Sequence, residues 1–197
     1  VERNDFMIPP PGGATVSCPD QTDVPPMLPP VFDNCGTPLL PVGAPLVSPK
    51  PTCEGTRTYT YTYMDCEGNT HMWVFTYVVI RNDFMTPPPG SGTVACPNLA
   101  TAGNVTLPQV FSACGELLST SAATQNFFNT DTYNGCEGTI SFTWFYTDCA
   151  MHTHTWTYTY TIERNDFMVP PGTGSTVACP SQANPMLIVP PMVNSDC

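Results

Sequence analysis

Aromatic and polar side chains alternate in two pairs of segments, the pattern of half-buried β-strands. In residues 58–63 of the strand segment 56–63, three tyrosines fall on one face and three threonines on the other, and residues 71–79 continue the alternation after a turn. Residues 141–146 and 154–162 repeat the arrangement about 80 residues later. Each pair predicts a long hairpin with an aromatic face in the core and a threonine-rich face toward solvent or a partner.

Shorter apolar runs interrupted by proline precede each hairpin and are typical of short edge strands. They lie at residues 31–32, 39–40, 45–47, 105–107, 110–111 and 117–118. Segments rich in proline and glycine, at residues 9–13, 87–92 and 170–174, are expected to be semi-rigid spacers that join repeats. The pattern therefore predicts an all-β chain of small, tandem antiparallel β-sandwich repeats without significant helix.

A six-residue motif, Glu-Arg-Asn-Asp-Phe-Met, marks the repeat period. It begins at Glu2 and again at Glu163, and its last five residues recur from Arg81. Such recurrence is typical of a tandem array. We expect residues 1–11 to be the tail strand of a preceding repeat, residues 12–86 and 87–169 to be two repeats, and residues 170–197 to be the first part of a third.

Ten cysteines follow the same period in four sets. The first set is Cys18, Cys96 and Cys179, the second Cys35, Cys114 and Cys197, the third Cys53 and Cys136, and the fourth Cys66 and Cys149. Matched sets indicate disulfides and an oxidising, extracellular setting. Four cysteines per repeat allow three pairings. We favour first with second and third with fourth inside each repeat, because the last fragment contains only the first two.

The charge balance narrows the classes of partner. The formal net charge is −11 at pH 7 and Lys50 is the only lysine. An acidic, lysine-poor chain is a poor ligand for nucleic acid or anionic membranes. The sequence has no apolar run long enough for membrane insertion and no signal peptide, so we expect mature sequence or an internal segment.

The order of the motifs resembles a known family. Cys-Pro is followed by Asp-Asn-Cys-Gly at residues 33–36, by Cys-Glu-Gly-Thr at residues 53–56 and 136–139, and by the Thr/Tyr/Trp-rich hairpin. This order is similar to the four-cysteine HYR-like (hyalin-repeat-like) domains that occur in tandem in large secreted surface proteins of Bacteroidota-type bacteria. The resemblance covers nearly the whole chain. It implies an Ig-like sandwich, an extracellular or cell-surface location, and a role in adhesion or surface architecture without catalysis.

One departure from this pattern concerns Asp33. The second repeat has Ser112 at the matching position, so a role tied to Asp33 is not expected in every repeat.

Calcium is the candidate cofactor, since oxygen-bearing side chains recur in the motif at each junction. The candidate ligands are Glu2, Asn4, Asp5, Asn82, Asp83, Glu163, Asn165 and Asp166. Alternatively, the motif caps a strand and hydrogen-bonds a turn, with Asp83 and Asp166 paired locally to arginine. Asn104 begins an N-x-T acceptor for a covalent glycan.

These features predict a structural, non-catalytic protein that forms a surface fibre, filament or adhesin shaft. The filament would arise by self-association of subunits or by continuation of a longer repeat chain. The alternative function is an adhesion module that binds a glycan or surface ligand, for which aromatic rings on an exposed face are the feature to seek. The cysteines are expected to be paired and no serine lies in a nucleophile elbow, so an enzyme is not expected.

Overall fold

The computed structural model describes residues 5–125, 131–195 and 197. Over these residues the chain is all-β, with ten strands, five short 3₁₀ turns and no α-helix. The strands are β1 (Gly12–Val16), β2 (Val31–Phe32), β3 (Pro38–Leu39), β4 (Leu46–Val47), β5 (Gly55–Met64), β6 (Thr70–Val79), β7 (Gly90–Val94), β8 (Thr124–Gln125), β9 (Gly138–Thr147) and β10 (Thr153–Ile162). The 3₁₀ turns are Pro19–Asp23, Pro97–Leu99, Ala102–Asn104, Pro180–Gln182 and Pro185–Leu187.

The strands belong to two compact units. The first unit comprises Val1–Met85, Gln109–Ser119 and Thr147–Thr153, and the second comprises Thr86–Pro108, Thr120–Tyr146 and His154–Cys197. The first unit therefore holds the first repeat together with two short segments of the second repeat. These two segments carry Cys114 and Cys149, which places both cysteines in the first unit.

The main sheet of the first unit has the order β1-β6-β5-β4. Its centre is the predicted hairpin, in which β5 and β6 pair antiparallel from Gly55 opposite Val79 to Met64 opposite Thr70. The edge strand β1 departs from the expected antiparallel pattern, because it runs parallel to β6. A parallel neighbour needs a crossover connection, and here the chain from residue 17 to residue 69 supplies it.

The aromatic face of this hairpin is the core, as predicted. Tyr59, Tyr61, Tyr63, Trp73 and Tyr77 are buried together with Phe6 and Val31. Strands β2 and β3 form a separate two-stranded sheet, and their Val31 and Leu39 pack against this face. The first repeat is thus a small Ig-like β-sandwich, and Phe6 of the recurring motif packs inside it.

Buried aromatic side chains with polar tips usually find hydrogen-bond partners. The hydroxyl of Tyr59 donates to the carbonyl oxygen of Thr22 at 2.7 Å, and the hydroxyl of Tyr77 donates to that of Val24 at 2.9 Å. The indole nitrogen of Trp73 donates to the carbonyl oxygen of Pro10 at 2.9 Å. These bonds fix the chain before β1 and after the first 3₁₀ turn against the sheet.

The second repeat is built in the same way around the sheet β7-β10-β9-β8. Its buried residues include Phe142, Trp144, Tyr146, Trp156, Tyr160 and Ile162. The indole nitrogen of Trp156 donates to the carbonyl oxygen of Pro88 at 2.9 Å, the counterpart of the bond from Trp73. The fold class predicted from the alternation is therefore confirmed.

The polar face of β9 and β10 differs in part from its prediction. Ser141 and Thr143 are buried, although the threonine-rich face is expected to meet solvent or a partner. Hydroxyl pairs cross between the strands on this face, including Thr143 with Thr157 at 3.0 Å and Ser141 with Thr159 at 3.1 Å. Such pairs satisfy the polar groups that burial removes from water.

The expectation that residues 9–13 and 87–92 are spacers is wrong for their glycines. Gly12 begins β1 and Gly90 begins β7, so both lie inside a sheet. A Cβ atom at Gly12 would lie 2.6 Å from Cδ2 of Phe75, and one at Gly90 would lie 2.5 Å from Cδ2 of Tyr158. Glycine is therefore required because aromatic rings of the neighbouring strand lie directly over the edge strand.

Trp156→Ala tests whether the aromatic face is core. Trp156 is 6 % exposed, so we expect a loss of about 3–5 kcal/mol in the free energy of unfolding by denaturant titration. The matched control is Thr155→Ala, since Thr155 is exposed on the opposite face of the same strand. Equal small losses in the two variants would contradict the assignment of this face to the core.

Candidate functional site

Three disulfides join consecutive repeats. Cys18 bonds Cys114, Cys53 bonds Cys149, and Cys96 bonds Cys197, across 96, 96 and 101 residues of sequence. In two cases the first cysteine of a repeat bonds the second cysteine of the next repeat. In the remaining case the third cysteine bonds the fourth cysteine of the next repeat. Each bond lies within one compact unit.

The expected pairing inside each repeat is wrong for the six bonded cysteines. That pairing would join Cys18–Cys35, Cys53–Cys66, Cys96–Cys114, Cys136–Cys149 and Cys179–Cys197. Cys53 and Cys66 flank opposite ends of β5, and ten strand residues span about 33 Å. A disulfide needs its Cα atoms within about 7 Å, so this pair cannot close. Cys136 and Cys149 flank β9 in the same way.

The other cysteines are at the surface. Cys35, Cys136 and Cys179 keep free, exposed thiols, and Cys66 lies exposed in the turn between β5 and β6.

A buried arginine lies between two of the disulfides. We name as the joint the cluster in the first unit formed by Cys18–Cys114, Cys53–Cys149 and Arg81. The side chain of Arg81 is 1 % exposed, its Nη2 donates to Oε2 of Glu116, and its backbone N–H donates to Oε1 of Glu54 at 2.8 Å. Glu54 follows Cys53, and Glu116 lies two residues after Cys114. Arg81 therefore connects the two disulfide loops, and Glu116 balances a charge that is costly to bury alone.

The first cysteine of each repeat precedes a 3₁₀ turn that starts with proline. Proline at this position has the backbone angle of the turn and lacks only an N–H that would have no partner there. At Cys18, the side-chain oxygen of Gln21 accepts hydrogen bonds from the backbone N–H groups of Ser17 and Cys18, each at 2.9 Å. The turn thus holds Cys18 in extended backbone geometry with its side chain set toward the joint.

The loop of the second cysteine is held by one short polar side chain. Asp33 Oδ1 accepts from the backbone N–H groups of Cys35 and Thr37 at 2.9 and 2.8 Å. In the second repeat, Ser112 Oγ accepts from those of Cys114 and Glu116, each at 3.2 Å. The expectation that the role of Asp33 is missing from the second repeat is therefore wrong, because a hydroxyl oxygen accepts the same bonds.

The fourth cysteine lies in a hairpin turn organised by the preceding aspartate. Asp148 Oδ1 accepts from the backbone N–H groups of Ala150 and His152, each at 2.9 Å, and Asp148 Oδ2 lies 2.9 Å from His152 Nδ1. Burial acts to raise the pKa of Asp148, but the bonds from His152 and the backbone outweigh it and lower the pKa. The same Asp148 hydrogen bond raises the pKa of His152, with smaller contributions from Asp83 and Glu54.

The first repeat has the same turn without a titratable imidazole. Asp65 Oδ1 accepts from the N–H groups of Glu67 and Asn69, and Asn69 Nδ2 donates to Asp65 Oδ2 at 2.9 Å. The side-chain bond from Asn69 is the main cause of a lowered pKa of Asp65. Asparagine at this position therefore keeps the turn without the contribution that an imidazole makes to its pH dependence.

The single lysine lies on the rim of the joint. Lys50 Nζ lies 2.5 Å from Asp20 Oδ1 and 2.9 Å from Asp23 Oδ2. Arg57 also pairs with Asp23. The hydrogen bonds from Lys50 and then Arg57 lower the pKa of Asp23, and the bonds to the two aspartates raise the pKa of Lys50. These exposed pairs add little stability, but they fix the 3₁₀ turn that follows Cys18.

The candidate calcium ligands are described only in part, since Glu2 and Asn4 lie outside the described residues. Asp5 Oδ2 lies 2.8 Å from His71 Nε2, and Asp83 Oδ1 accepts from the backbone N–H of Phe84 at 2.8 Å. The others are exposed: Asn82, Glu163, Asn165 and Asp166. Within residues 5–125, 131–195 and 197, no group of three or more His, Cys, Asp or Glu side chains is placed to hold a metal ion. Calcium at the junctions stays a prediction.

Asn104, the candidate glycan acceptor, is exposed at the end of the turn Ala102–Asn104. Its Nδ2 donates to the carbonyl oxygen of Leu99 at 2.9 Å, a bond that a glycan would have to share or replace. Glycosylation at Asn104 stays a prediction.

Two copies of one domain family match the chain. The family is described as HYR-like domain with 4 cysteines, and the copies cover residues 6–79 and 84–162. The chain belongs to this family. None of the curated proteins matches the chain. The resemblance to four-cysteine HYR-like domains is thus confirmed, and the first HYR-like copy begins at Phe6, which packs in the core of that repeat.

Membership of the HYR-like family supports an extracellular, adhesion-type repeat protein. The parts of the chain that the structure describes contain no helix with the length and hydropathy of a membrane span. The chemistry gathered at the joint is disulfides, one ion pair between the buried Arg81 and the exposed Glu116, and side-chain-capped turns. This arrangement links repeats covalently and holds their loops in place.

Sequence reasoning missed Arg81, Glu54 and Glu116 as parts of the joint. A signal was present, because Glu54 follows a third cysteine, Glu116 lies beside a second cysteine, and Arg81 stands in the recurring motif. One of only four arginines, with glutamates near two cysteines, was a candidate for an ion pair that allows its burial.

His152→Asn tests the turn that carries Cys149. The folded-state pKa of His152 is raised above its unfolded value of about 6.5, so its bond to Asp148 contributes fully below that pH and is lost as pH rises through the raised pKa. We expect the thermal midpoint of the natural chain to fall over that range relative to the variant. The first repeat already has asparagine at the matching position, where Asn69 donates to Asp65. The same fall in both proteins would contradict this assignment.

A double-mutant cycle tests the connectivity. Cys53→Ser and Cys149→Ser should each cost about 4 kcal/mol under oxidising conditions, and the double variant should cost no more than either. Neither should have this effect in a reducing buffer. The control cycle pairs Cys53→Ser with Cys66→Ser, whose effects should be additive. Additivity for Cys53 and Cys149 would rule out their bond.

Proposed function

We propose that this chain is a load-bearing segment of an extracellular shaft, either a surface fibre or the stalk of an adhesin, with no catalytic role. The observation that carries the proposal is that the disulfides run between repeats rather than inside them. A disulfide inside a domain stabilises that domain alone. A disulfide between consecutive repeats also carries tension from one repeat to the next.

The covalent route for tension is short. It runs from residue 1 to Cys18, across to Cys114, back to Cys96 and across to Cys197. This route contains roughly 35 residues and extends to about 130 Å at about 3.5 Å per residue. Without disulfides, the 197 residues would extend to about 690 Å. Most of the chain, including the long hairpin of the first repeat, therefore lies outside the loaded route.

The joint resists local opening as well. Arg81 and Glu116 are paired where the side chain of Arg81 is almost fully buried, and separating them would leave a buried charge without compensation. Capped turns hold Cys18 and Cys114 in place on either side of their bond. Both features favour repeats that keep a constant register along a shaft.

Further properties belong to the proposal. Self-association or continuation of the repeat array would lengthen the shaft, calcium at the motif junctions would stiffen it, and glycans at Asn104 would coat it. The net charge of −11 supports a surface that does not bind nucleic acid or anionic membranes. The alternative of a ligand-binding module loses its main support, because the aromatic faces, including Tyr61 and Trp144, are buried in the core.

Single-molecule stretching tests the load-bearing role. With handles at both ends, the oxidised chain should reach a limiting extension of about 130 Å, and the reduced chain one of about 690 Å. Pairing inside repeats would instead give about 440 Å under oxidising conditions. The matched control is Cys136→Ser, which removes a cysteine that lies outside the three bonds and should leave the oxidised extension unchanged.

An oxidised extension near the within-repeat value would remove the basis of the proposal. The reduced sample serves as an internal check that the whole chain is attached and unfolds.

A further inference from the structure

We propose that Cys35 and Cys179 are the two open halves of one more disulfide between repeats, completed by another HYR-like repeat. A second copy of this chain offers such a repeat, with Cys35 of the second copy bonded to Cys179 of the first copy. The inference rests on the proposed function, because it names the partner through which the shaft continues. It follows from the order of the bonds and from the geometry of the two thiol loops.

The bonds follow one rule for the first and second cysteines. The first cysteine of a repeat takes the second cysteine of the next repeat, as in Cys18–Cys114 and Cys96–Cys197. Under this rule Cys35, a second cysteine, takes a first cysteine from a repeat before its own. Cys179, a first cysteine, takes a second cysteine from a repeat after its own. Cys35 needs a first cysteine and Cys179 needs a second cysteine, so each can serve as the partner of the other. Both thiols are free and exposed.

The loop of Cys35 already has the conformation of its bonded counterpart. Gly36 and Gly115 have positive φ values of 79° and 84°, and each donates its N–H to a backbone oxygen of the capping residue, Asp33 or Ser112, at 3.0 and 2.9 Å. The capping side chain accepts from the N–H of the cysteine in both loops. Bond formation at Cys35 therefore needs no new loop structure.

The turn of Cys179 likewise matches that of a bonded first cysteine. Cys179 has φ and ψ of −129° and 143°, and Cys18 has −130° and 140°. Gln182 accepts from the N–H of Cys179 at 3.2 Å, as Gln21 does at Cys18. The sulfur of each bonded partner, Cys114 or Cys197, lies 3.3 Å from the carbonyl oxygen just before the first cysteine. The carbonyl of residue 178 is the matching position at Cys179.

The rule also selects one register between copies. Cys197 occupies the second-cysteine position of the third repeat through its bond to Cys96, so the next second cysteine belongs to a fourth repeat. Cys35 of the incoming copy fits that position. Cys136, a third cysteine of the second repeat, would take a fourth cysteine of a third repeat by the pattern of Cys53–Cys149, whereas Cys66 of the incoming copy lies in the fourth repeat. We therefore infer that Cys136 takes no part in the link between copies.

The chemistry is a two-electron oxidation. The thiols of Cys35 and Cys179 lose two protons and two electrons to a disulfide oxidant of the glutathione disulfide class, which leaves as two thiols. Because both loops are preformed, a bond between Cys35 and Cys179 is favoured over a bond between two Cys35 residues or two Cys179 residues. Only the Cys35–Cys179 bond reproduces the geometry of Cys18–Cys114.

The test uses equal amounts of ¹⁵N-labelled and unlabelled chain, incubated with glutathione disulfide over a range of protein concentrations. Peptide mapping without reduction should find Cys35 joined to Cys179 with one labelled and one unlabelled peptide. A non-reducing gel should show a ladder of oligomers. Cys35→Ser and Cys179→Ser should each abolish the ladder, while the matched control Cys136→Ser should keep it. A mixture of the Cys35→Ser and Cys179→Ser chains should stop at the dimer.

Several outcomes would overturn the inference. These are cross-links that join Cys35 to Cys35 as often as to Cys179, a ladder lost with Cys136→Ser but kept with Cys179→Ser, and quantitative glutathione capping without cross-links. The same map reports Cys18–Cys114 and Cys96–Cys197. If those bonds are present and the link between copies is absent, only this inference fails. If they are absent, the proposed function fails with it.

Discussion

The length of the hairpin strands decides which covalent links the chain can make. Ten residues of extended backbone separate the third and fourth cysteines of a repeat by about 33 Å, several times the reach of a disulfide. A hairpin with such long strands carries its two cysteines at opposite ends of the domain. These two cysteines can then form disulfides with cysteines of neighbouring repeats but not with each other. The core imposes the same length, because the aromatic faces of β5, β6, β9 and β10 need it to bury their rings.

Side-chain oxygens then fix the loops that present the cysteines. Gln21, Asp33, Ser112 and Asp148 each accept backbone hydrogen bonds at or near a cysteine. Such bonds hold a short loop in one conformation before its partner arrives, which reduces the entropy lost on bond formation. The recurring motif contributes both to the core and to the joint. Its phenylalanine packs in the core as Phe6, and its arginine fills the joint as Arg81.

The alternation of tyrosine, threonine and tryptophan was enough to predict the hairpins, their buried faces and the all-β class, because period-two burial is a local property of sequence. The parallel edge strand was not predictable in this way, since the partner of Gly12 lies some sixty residues away and only the clash of a Cβ atom with Phe75 marks it. The disulfide pairing could have been constrained further. A predicted strand from residue 56 to residue 63 already places Cys53 and Cys66 too far apart to bond. Choosing the partner in the next repeat, however, depends on how the repeats pack, which no local pattern encodes.

Linking between repeats also changes what stabilises each of them. A domain of about 80 residues buries a limited core and is marginal alone. When its cysteines bond the next repeat, part of its stability comes from the neighbour, as in repeat proteins whose energies are sums of intrinsic and interface terms. The burial of Arg81 shows this coupling directly, because its backbone is held by Glu54 of its own repeat and its side chain by Glu116 of the next. An array of this kind gains stability as it lengthens.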